Sequence, residues 1–154
     1  MAGLATAGPA VAFGADLCDI GRMLEWIKSV FKSAPAKDPL GERGENVAAR
    51  YLQRLGYKII TRNFRAPVGE IDIIARDGKT LVFCEVKARE SDEPRPEDQV
   101  SGEKQHQITK AAKYYLSRFG TPRPAARFDV LAVIWPPRCE PTVRHTQSAF
   151  EATF

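Results

Sequence analysis

Carboxylates and a lysine lie at strand-like spacing near the middle of the chain. Glu70 and Asp72 belong to GEIDIIARDG, and Glu85 and Lys87 follow in VFCEVKAR. Carboxylate oxygens without histidine or cysteine beside them are typical ligands of Mg²⁺ or Mn²⁺, and a neighbouring lysine could meet a phosphate. This set suits metal-assisted hydrolysis of a phosphodiester, in which the ion activates water and the lysine offsets developing charge.

The two segments are predicted to form a β-hairpin. Asp77-Gly78 is expected to be the turn centre, because glycine tolerates the positive φ of a two-residue turn. With that centre, Glu70 would face Glu85 and Asp72 would face Phe83, so the polar side chains of both strands would share one face. Asp72 and Glu85 would then be diagonal neighbours, roughly 7 Å apart along the backbone and close enough to bind one ion.

An ordinary solvated hairpin face of Glu, Asp and Lys would show the same pattern. Opposed carboxylates repel each other, however, so a cation would have to offset a direct pairing of Glu70 with Glu85. The hairpin residues by themselves leave both interpretations open.

Composition favours one folded domain with a polyanionic partner. The chain has 154 residues, 44% of them hydrophobic, which is enough to bury a core. The net charge of +4 and pI near 9.1 favour nucleic acid without requiring it. Three widely spaced cysteines indicate neither a disulfide framework nor a zinc site, and we expect a reducing, cytoplasmic location.

Residues 1–38 are predicted to be a mobile N-terminal extension that precedes an α/β domain at residues 39–154. The extension contains a second plausible start at Met23, followed by a short amphipathic helical pattern. It lacks both a basic stretch ahead of an apolar run and a run long enough to span a bilayer. We therefore predict neither a signal peptide nor a membrane segment.

The later elements are predicted to be a helix, a strand, the hairpin, a second helix, a buried strand and an edge strand. RFDVLAVIW is nearly continuous apolar sequence, which indicates an interior strand parallel to a neighbour. Asp129 within it needs a partner, which would be Arg127 or a neighbouring basic residue. On the first helix, Glu45 is either a first-turn carboxylate that favours the helix dipole, the simpler interpretation, or an acidic group aimed at the hairpin.

Basic and amide side chains surround the hairpin in sequence. Arg62 and Arg65 precede it, and Arg89 ends its second strand. Lys104 and Gln105 open the second helix, where they could hold a phosphate together with backbone amides or could simply be solvated. All five are predicted nucleic-acid contacts.

GERGENVAARYL, NFRAPVGEIDIIARDG, VFCEVKAR and RFDV, together with Lys104, resemble the YraN family of predicted endonucleases. The motifs of that family are similar to those of archaeal Holliday junction resolvases. The resemblance covers about residues 40–154. It implies a restriction-endonuclease-like α/β fold with an α-β-β-β-α-β core, in which a central mixed sheet is flanked by helices and carries the metal site on the hairpin.

Site roles follow from the same resemblance. It implies that Asp72 and Glu85 bind Mg²⁺ or Mn²⁺, that Lys87 orients water or stabilises the transition state, and that Glu45 completes the acidic site. Glu70 is a further ligand on the same face. The implied substrate is DNA, branched or otherwise structured, with RNA as an alternative and a homodimer as a possible assembly.

Two other functions are compatible with the residues. One is a nucleic-acid-binding adaptor that has lost catalysis while keeping its binding surface. The other is a protein-interaction module whose hairpin carboxylates form salt bridges with Arg62, Arg65 or Arg89.

Overall fold

The structure, a computed structural model, describes residues 39–152. The predicted N-terminal extension and its amphipathic helix lie outside the described residues, and the domain boundary stays a prediction. The described elements are helix α1 (Pro39–Arg54), strands β1 (Lys58–Ala66), β2 (Gly69–Asp77) and β3 (Thr80–Arg89), a 3₁₀ turn (Pro96–Gln99), helix α2 (Gly102–Leu116), and strands β4 (Ala126–Ile134) and β5 (Thr142–Phe150).

One five-stranded mixed sheet runs in the order β1-β2-β3-β4-β5. Strands β3 and β4 are parallel, and the other neighbours are antiparallel. Alternate residues of β3 pack on opposite sides, with Val82 and Cys84 against α1 and with Leu81 and Phe83 against α2. The two helices therefore cover opposite faces, and the predicted α/β class is confirmed in a form compatible with a restriction-endonuclease-like fold.

Strand β4 is the interior strand that its apolar sequence predicts. Its residues 128–133 are all buried, and β5 completes the sheet as an edge strand. The predicted pairing of Asp129 with Arg127 is also confirmed, with 3.1 Å between the Arg127 Nε and an Asp129 carboxylate oxygen. An apolar strand covered on both faces can hold a carboxylate only where hydrogen-bond donors accompany it.

The hairpin turn lies one residue later than predicted. Asp77 pairs with Thr80, so Gly78 and Lys79 form the turn. Gly78 has a φ of +56°, a left-handed value that glycine adopts without strain at this first turn position. Each cross-strand pair is consequently displaced by two residues from the predicted register.

The corrected register changes which carboxylates are neighbours. Ile73 pairs with Cys84, and the next positions along the two strands are Asp72 and Glu85. The predicted opposition of Glu70 and Glu85 is therefore wrong, and so is the pairing of Asp72 with a phenylalanine. A displacement by two preserves the alternation of side chains between faces, whereas a displacement by one would have reversed it.

Close packing of α1 on the sheet brings Glu45 into the interior. A Cβ atom on Gly44 would lie 2.5 Å from the Ala88 Cβ on β3, so only glycine allows this approach. The helix begins at Pro39, and its first-turn carboxylate is Glu42. Glu45 lies in the second turn and is buried, so the helix-dipole interpretation of Glu45 is wrong.

Candidate functional site

Glu85 is the centre of a buried ionic cluster. Its side chain is only 3% exposed, and its Oε1 lies 3.1 Å from the Lys87 Nζ. Its Oε2 lies 3.4 Å from the Lys104 Nζ and, within residues 39–152, accepts no hydrogen bond, so this second contact is purely ionic. The cluster thus joins β3 to α2, which are far apart in sequence.

Local structure fixes the position of Lys104. Ser101 is the N-cap of α2, and its hydroxyl accepts a hydrogen bond from the Lys104 backbone N–H at 3.3 Å. This cap sets the first turn of the helix. The Lys104 side chain then extends toward Glu85.

Asp72 holds together the strand ends that carry the site. It is 7% exposed, and its Oδ2 accepts a 2.8 Å hydrogen bond from the Val86 backbone N–H. This bond lies just beyond the last ladder pair between β2 and β3, so a side chain replaces the next backbone bond. Asp72 is thereby placed beside Glu85.

The electrostatics of the pair are unusual for carboxylates. Burial raises the pKa of Glu85, and the negative charge of Asp72 raises it further, to about 7, although Lys104 and Lys87 act in the opposite direction. The protonated form of Glu85 is therefore more favoured than that of an ordinary glutamate. Positive charge added beside this pair would favour the ionised form.

Glu45 lines a cleft of about 390 Å³. The cleft is also lined by Arg62 and Arg65, which the sequence analysis predicted as nucleic-acid contacts. Glu45 is 3% exposed, so the buried side of α1 contributes a carboxylate while β1 contributes the two arginines. The structure therefore brings these three predicted site residues together.

Other predicted residues lie at the margin of the site. Glu70 has a half-exposed side chain, and one of its oxygens lies 3.9 Å from the Arg65 Nε. The Arg89 guanidinium donates to the Ala88 carbonyl and the Gln99 side chain. The Gln105 Nε2 donates to the Val100 carbonyl at 3.0 Å, so this amide supports the loop before α2.

Within residues 39–152, no group of three or more His, Cys, Asp or Glu side chains is close enough to hold a metal ion. The candidate metal centre that the described residues bring together is the pair Asp72 and Glu85, and Glu70 as a third ligand stays a prediction. Mg²⁺ keeps several of its waters and is commonly bound through one or two carboxylates. Two adjacent buried carboxylates, one with a raised pKa, fit such an ion.

Asn63 is a residue beside the site that the sequence patterns did not single out. It has a φ of +51° within β1, between the pairs Arg62–Ile73 and Phe64–Ile71, at the position that faces Asp72. Asparagine tolerates the left-handed region and is depleted in regular strands. An asparagine in the otherwise β-rich segment KIITRNFR was therefore a usable signal for an irregularity beside Asp72.

The fold and the cluster define an α/β protein with a mixed sheet, in which a carboxylate–lysine site lies between a hairpin and the start of a helix. Residues 44–133 match the model of the uncharacterised protein family UPF0102. Over 116 residues, 75% of this chain and 91% of the relative, the chain is 50% identical to a UPF0102 protein of Geobacter sulfurreducens. The same coverage gives 46% identity to a UPF0102 protein of Geotalea daltonii.

A UPF0102 protein of Chlorobium phaeobacteroides is 49% identical over 102 residues, which cover 64% of this chain and 80% of that protein. The chain belongs to the UPF0102, or YraN, family. The resemblance noted in the sequence is thus confirmed. Neither helix within residues 39–152 has the length and apolar character needed to cross a bilayer.

Proposed function

We propose that this protein is a Mg²⁺- or Mn²⁺-dependent endonuclease that acts on branched or otherwise structured DNA. The observation that carries the proposal is the buried Glu85 carboxylate, which lies beside Asp72 and is contacted by the ammonium groups of Lys87 and Lys104. A site with two carboxylates and two lysines supplies both the ligands and the positive charge that phosphodiester hydrolysis requires.

Asp72 and Glu85 would hold the ion, whose chemistry is the activation of water and the polarisation of a phosphoryl oxygen. Lys87 and Lys104 are the residues that meet the phosphate. Their side chains are 22% and 24% exposed, so each ammonium contacts Glu85 and still faces solvent. We infer that Lys87 orients the attacking water or stabilises charge on the phosphate, and that Lys104 binds a phosphate oxygen from the α2 side.

The proposal is tested by incubating labelled duplex, single strand, flap, four-way junction and RNA with the protein and Mg²⁺, Mn²⁺ or EDTA. We expect cleavage only with a metal ion. Asp72→Asn should reduce it by at least about a hundredfold, because transition-state stabilisation by the site is lost. Glu151→Gln, which changes an exposed carboxylate at the end of β5, is the matched control. Cleavage in EDTA, or unchanged cleavage by Asp72→Asn, would contradict the proposal.

Symmetric cutting of a four-way junction requires two active sites that face paired strands. The predicted homodimer is therefore tested in parallel by the molar mass of the protein in solution. A monomer that cuts only flaps or single strands would keep the nuclease proposal and remove the junction as its substrate.

A second candidate is a nucleic-acid-binding protein without catalysis. It is favoured by the contacts of Lys87 and Lys104 with Glu85, since two ammonium groups already offset the buried charge. Binding of the DNA panel without cutting, under every metal condition, would support this candidate. Neither binding nor cutting would favour the protein-interaction module.

A further inference from the structure

A row of arginines runs along the side of α1 that faces away from the sheet. Arg43, Arg50 and Arg54 have the spacing i, i+7 and i+11, which places them within about 40° of one another around the helix. All three are exposed, and within residues 39–152 none forms an ion pair with a carboxylate. The opposite side of α1 packs on the sheet, so this arginine row is not needed to hold the helix in place.

The arginine row borders a groove of about 430 Å³ between α1 and the segment that leads into β5. Arg50 and Arg54 line the groove together with the aromatic side chains of Tyr51 and Trp135. The Arg43 guanidinium extends the row to the groove, because it lies 4.0 Å from the centroid of the Trp135 ring.

The groove adjoins the strand end that carries the site. The Trp135 backbone N–H donates a 2.8 Å hydrogen bond to the Arg89 carbonyl, which is two residues beyond Lys87 on β3. Helix α1 therefore takes part in both surfaces. Its buried side contributes Glu45, and its exposed side contributes the arginine row.

Charge and chemistry indicate what the groove would bind. Arg50 and Arg54 outnumber the single lining carboxylate, Glu140, and the row extends about 16 Å along the helix axis. DNA carries a phosphate every 3.4 Å or so along each strand of a duplex, so the row can follow several of them. Grooves that combine cations with aromatic side chains are a recurrent way to bind nucleic-acid strands.

We propose that this groove binds the sugar–phosphate backbone of the DNA strand that flanks the candidate site. The inference rests on the proposed action on DNA, and it adds a second contact surface beyond Lys87. An acidic protein segment is the competing occupant. It is disfavoured because the groove is continuous with the strand end that bears the proposed phosphate contacts.

The test is fluorescence anisotropy of a labelled oligonucleotide, single-stranded and duplex, in EDTA over a series of salt concentrations. The groove variant is Arg50→Gln/Arg54→Gln. The matched control is Arg76→Gln/Lys79→Gln, which removes the same charge from exposed residues at the β2–β3 turn. We expect the groove variant to lose affinity on the order of tenfold and to reduce the slope of log K against log salt by about 1.5, because two phosphate contacts are lost. The control should remain within about twofold of the parent protein.

A third variant tests the sign of the effect. Glu140→Gln removes the carboxylate that lines the groove and should tighten DNA binding a few-fold. Equal losses by the groove and control variants, or weaker binding by Glu140→Gln, would overturn the proposal. Competition by polyglutamate as effective as that by DNA of equal charge would also overturn it, since the groove would then accept any polyanion.

The binding assay separates this inference from the proposed catalysis. Selective loss of binding by Arg50→Gln/Arg54→Gln, in a protein that cuts nothing, would support the groove and reject the nuclease. Metal-dependent cutting with unchanged binding by the groove variant would support the nuclease and reject the groove.

Discussion

Two buried carboxylates on adjacent strands have opposite environments. Asp129 on β4 is fully buried and accepts hydrogen bonds from Arg127, His145 and the Ser148 backbone N–H. Burial raises the pKa of Asp129, but the hydrogen bonds from His145, Arg127 and Ser148 outweigh it and leave the pKa lowered. Glu85 on β3 is almost as buried, yet its pKa is raised.

The difference lies in the partners. Asp129 is surrounded by hydrogen-bond donors. Its partner Arg127 also donates hydrogen bonds to the Asp77 carboxylate at 3.0 Å and to the Tyr57 hydroxyl at 2.7 Å. Asp129 and Arg127 together therefore hold β4 to the neighbouring elements. Glu85 has two lysines that also face solvent and a second carboxylate beside it. Both carboxylate oxygens of Asp129 accept hydrogen bonds, whereas the Glu85 Oε2 accepts none within residues 39–152, so added positive charge would favour the ionised form of Glu85.

The largest expected effect on stability is at Asp129. Asp129→Ala leaves the guanidinium of Arg127 and the ring of His145 without their buried acceptor and should lower the free energy of unfolding by about 3–5 kcal/mol. Urea unfolding of Asp129→Ala and the parent protein at pH 7.5 measures this loss of stability. Glu85→Gln is the comparison variant, and we expect it not to lower stability in EDTA. Equal losses by both variants would mean that Glu85 is also a structural group.

The pH dependence of stability should have opposite signs at the two carboxylates. The folded protein holds a proton on Glu85 up to a pKa of about 7, above the 4.5 of an ordinary glutamate. Its contribution to stability is therefore complete below pH 4.5 and is lost as the pH rises to 7, by about 3 kcal/mol. The contribution of Asp129 is present above the ordinary pKa of 3.8 and is lost on acidification.

Urea unfolding in EDTA from pH 4.5 to 7.5 tests the contribution of Glu85. We expect Glu85→Gln to remove the fall in stability and, at pH 7.5, to be more stable than the parent protein. A parent protein whose stability rises over this range, with Glu85→Gln unchanged, would show that the carboxylate is satisfied in the same way as Asp129.

A smaller effect is expected from the lysine on α2. Lys104→Met removes a charge that lowers the pKa of Glu85 and should therefore raise that pKa by about one unit. The side-chain carboxyl of Glu85 can be followed by ¹³C NMR titration in EDTA. Lys110→Met, an exposed position on the same helix, should leave the pKa unchanged. A shift of the same size in both variants would point to net charge rather than to the ion pair.

The smallest effect is expected at the exposed carboxylate of β2. Glu70 is half exposed and lies 3.9 Å from the Arg65 Nε. Exposed pairs of this kind contribute about 1 kcal/mol or less, so Glu70→Gln should change the free energy of unfolding by less than that. Urea unfolding in EDTA at pH 7.5 measures this change. A gain in stability as large as that expected for Glu85→Gln would place Glu70 in the carboxylate cluster.

The sequence by itself determined the elements and which side chains share a face of the hairpin. Apolar runs and alternation predicted β4 as a buried parallel strand and β5 as an edge strand. They could do so because the order of apolar and polar residues along a strand indicates whether one or both of its faces are buried. The E-x-K spacing placed Glu85 and Lys87 on one face of a strand. The requirement that a buried charge be paired predicted the contact of Asp129 with Arg127.

Tertiary structure decided the rest. Whether Gly78 takes the first or the second turn position changes the register by two residues, and both choices satisfy the same alternation. The burial of Glu45 depends on how closely α1 approaches β3, and Lys104 meets Glu85 only because α2 crosses the sheet at that point. Periodicity reports which face a side chain occupies, but distances between elements that are remote in sequence are set by packing, and those distances determine the electrostatics of the site.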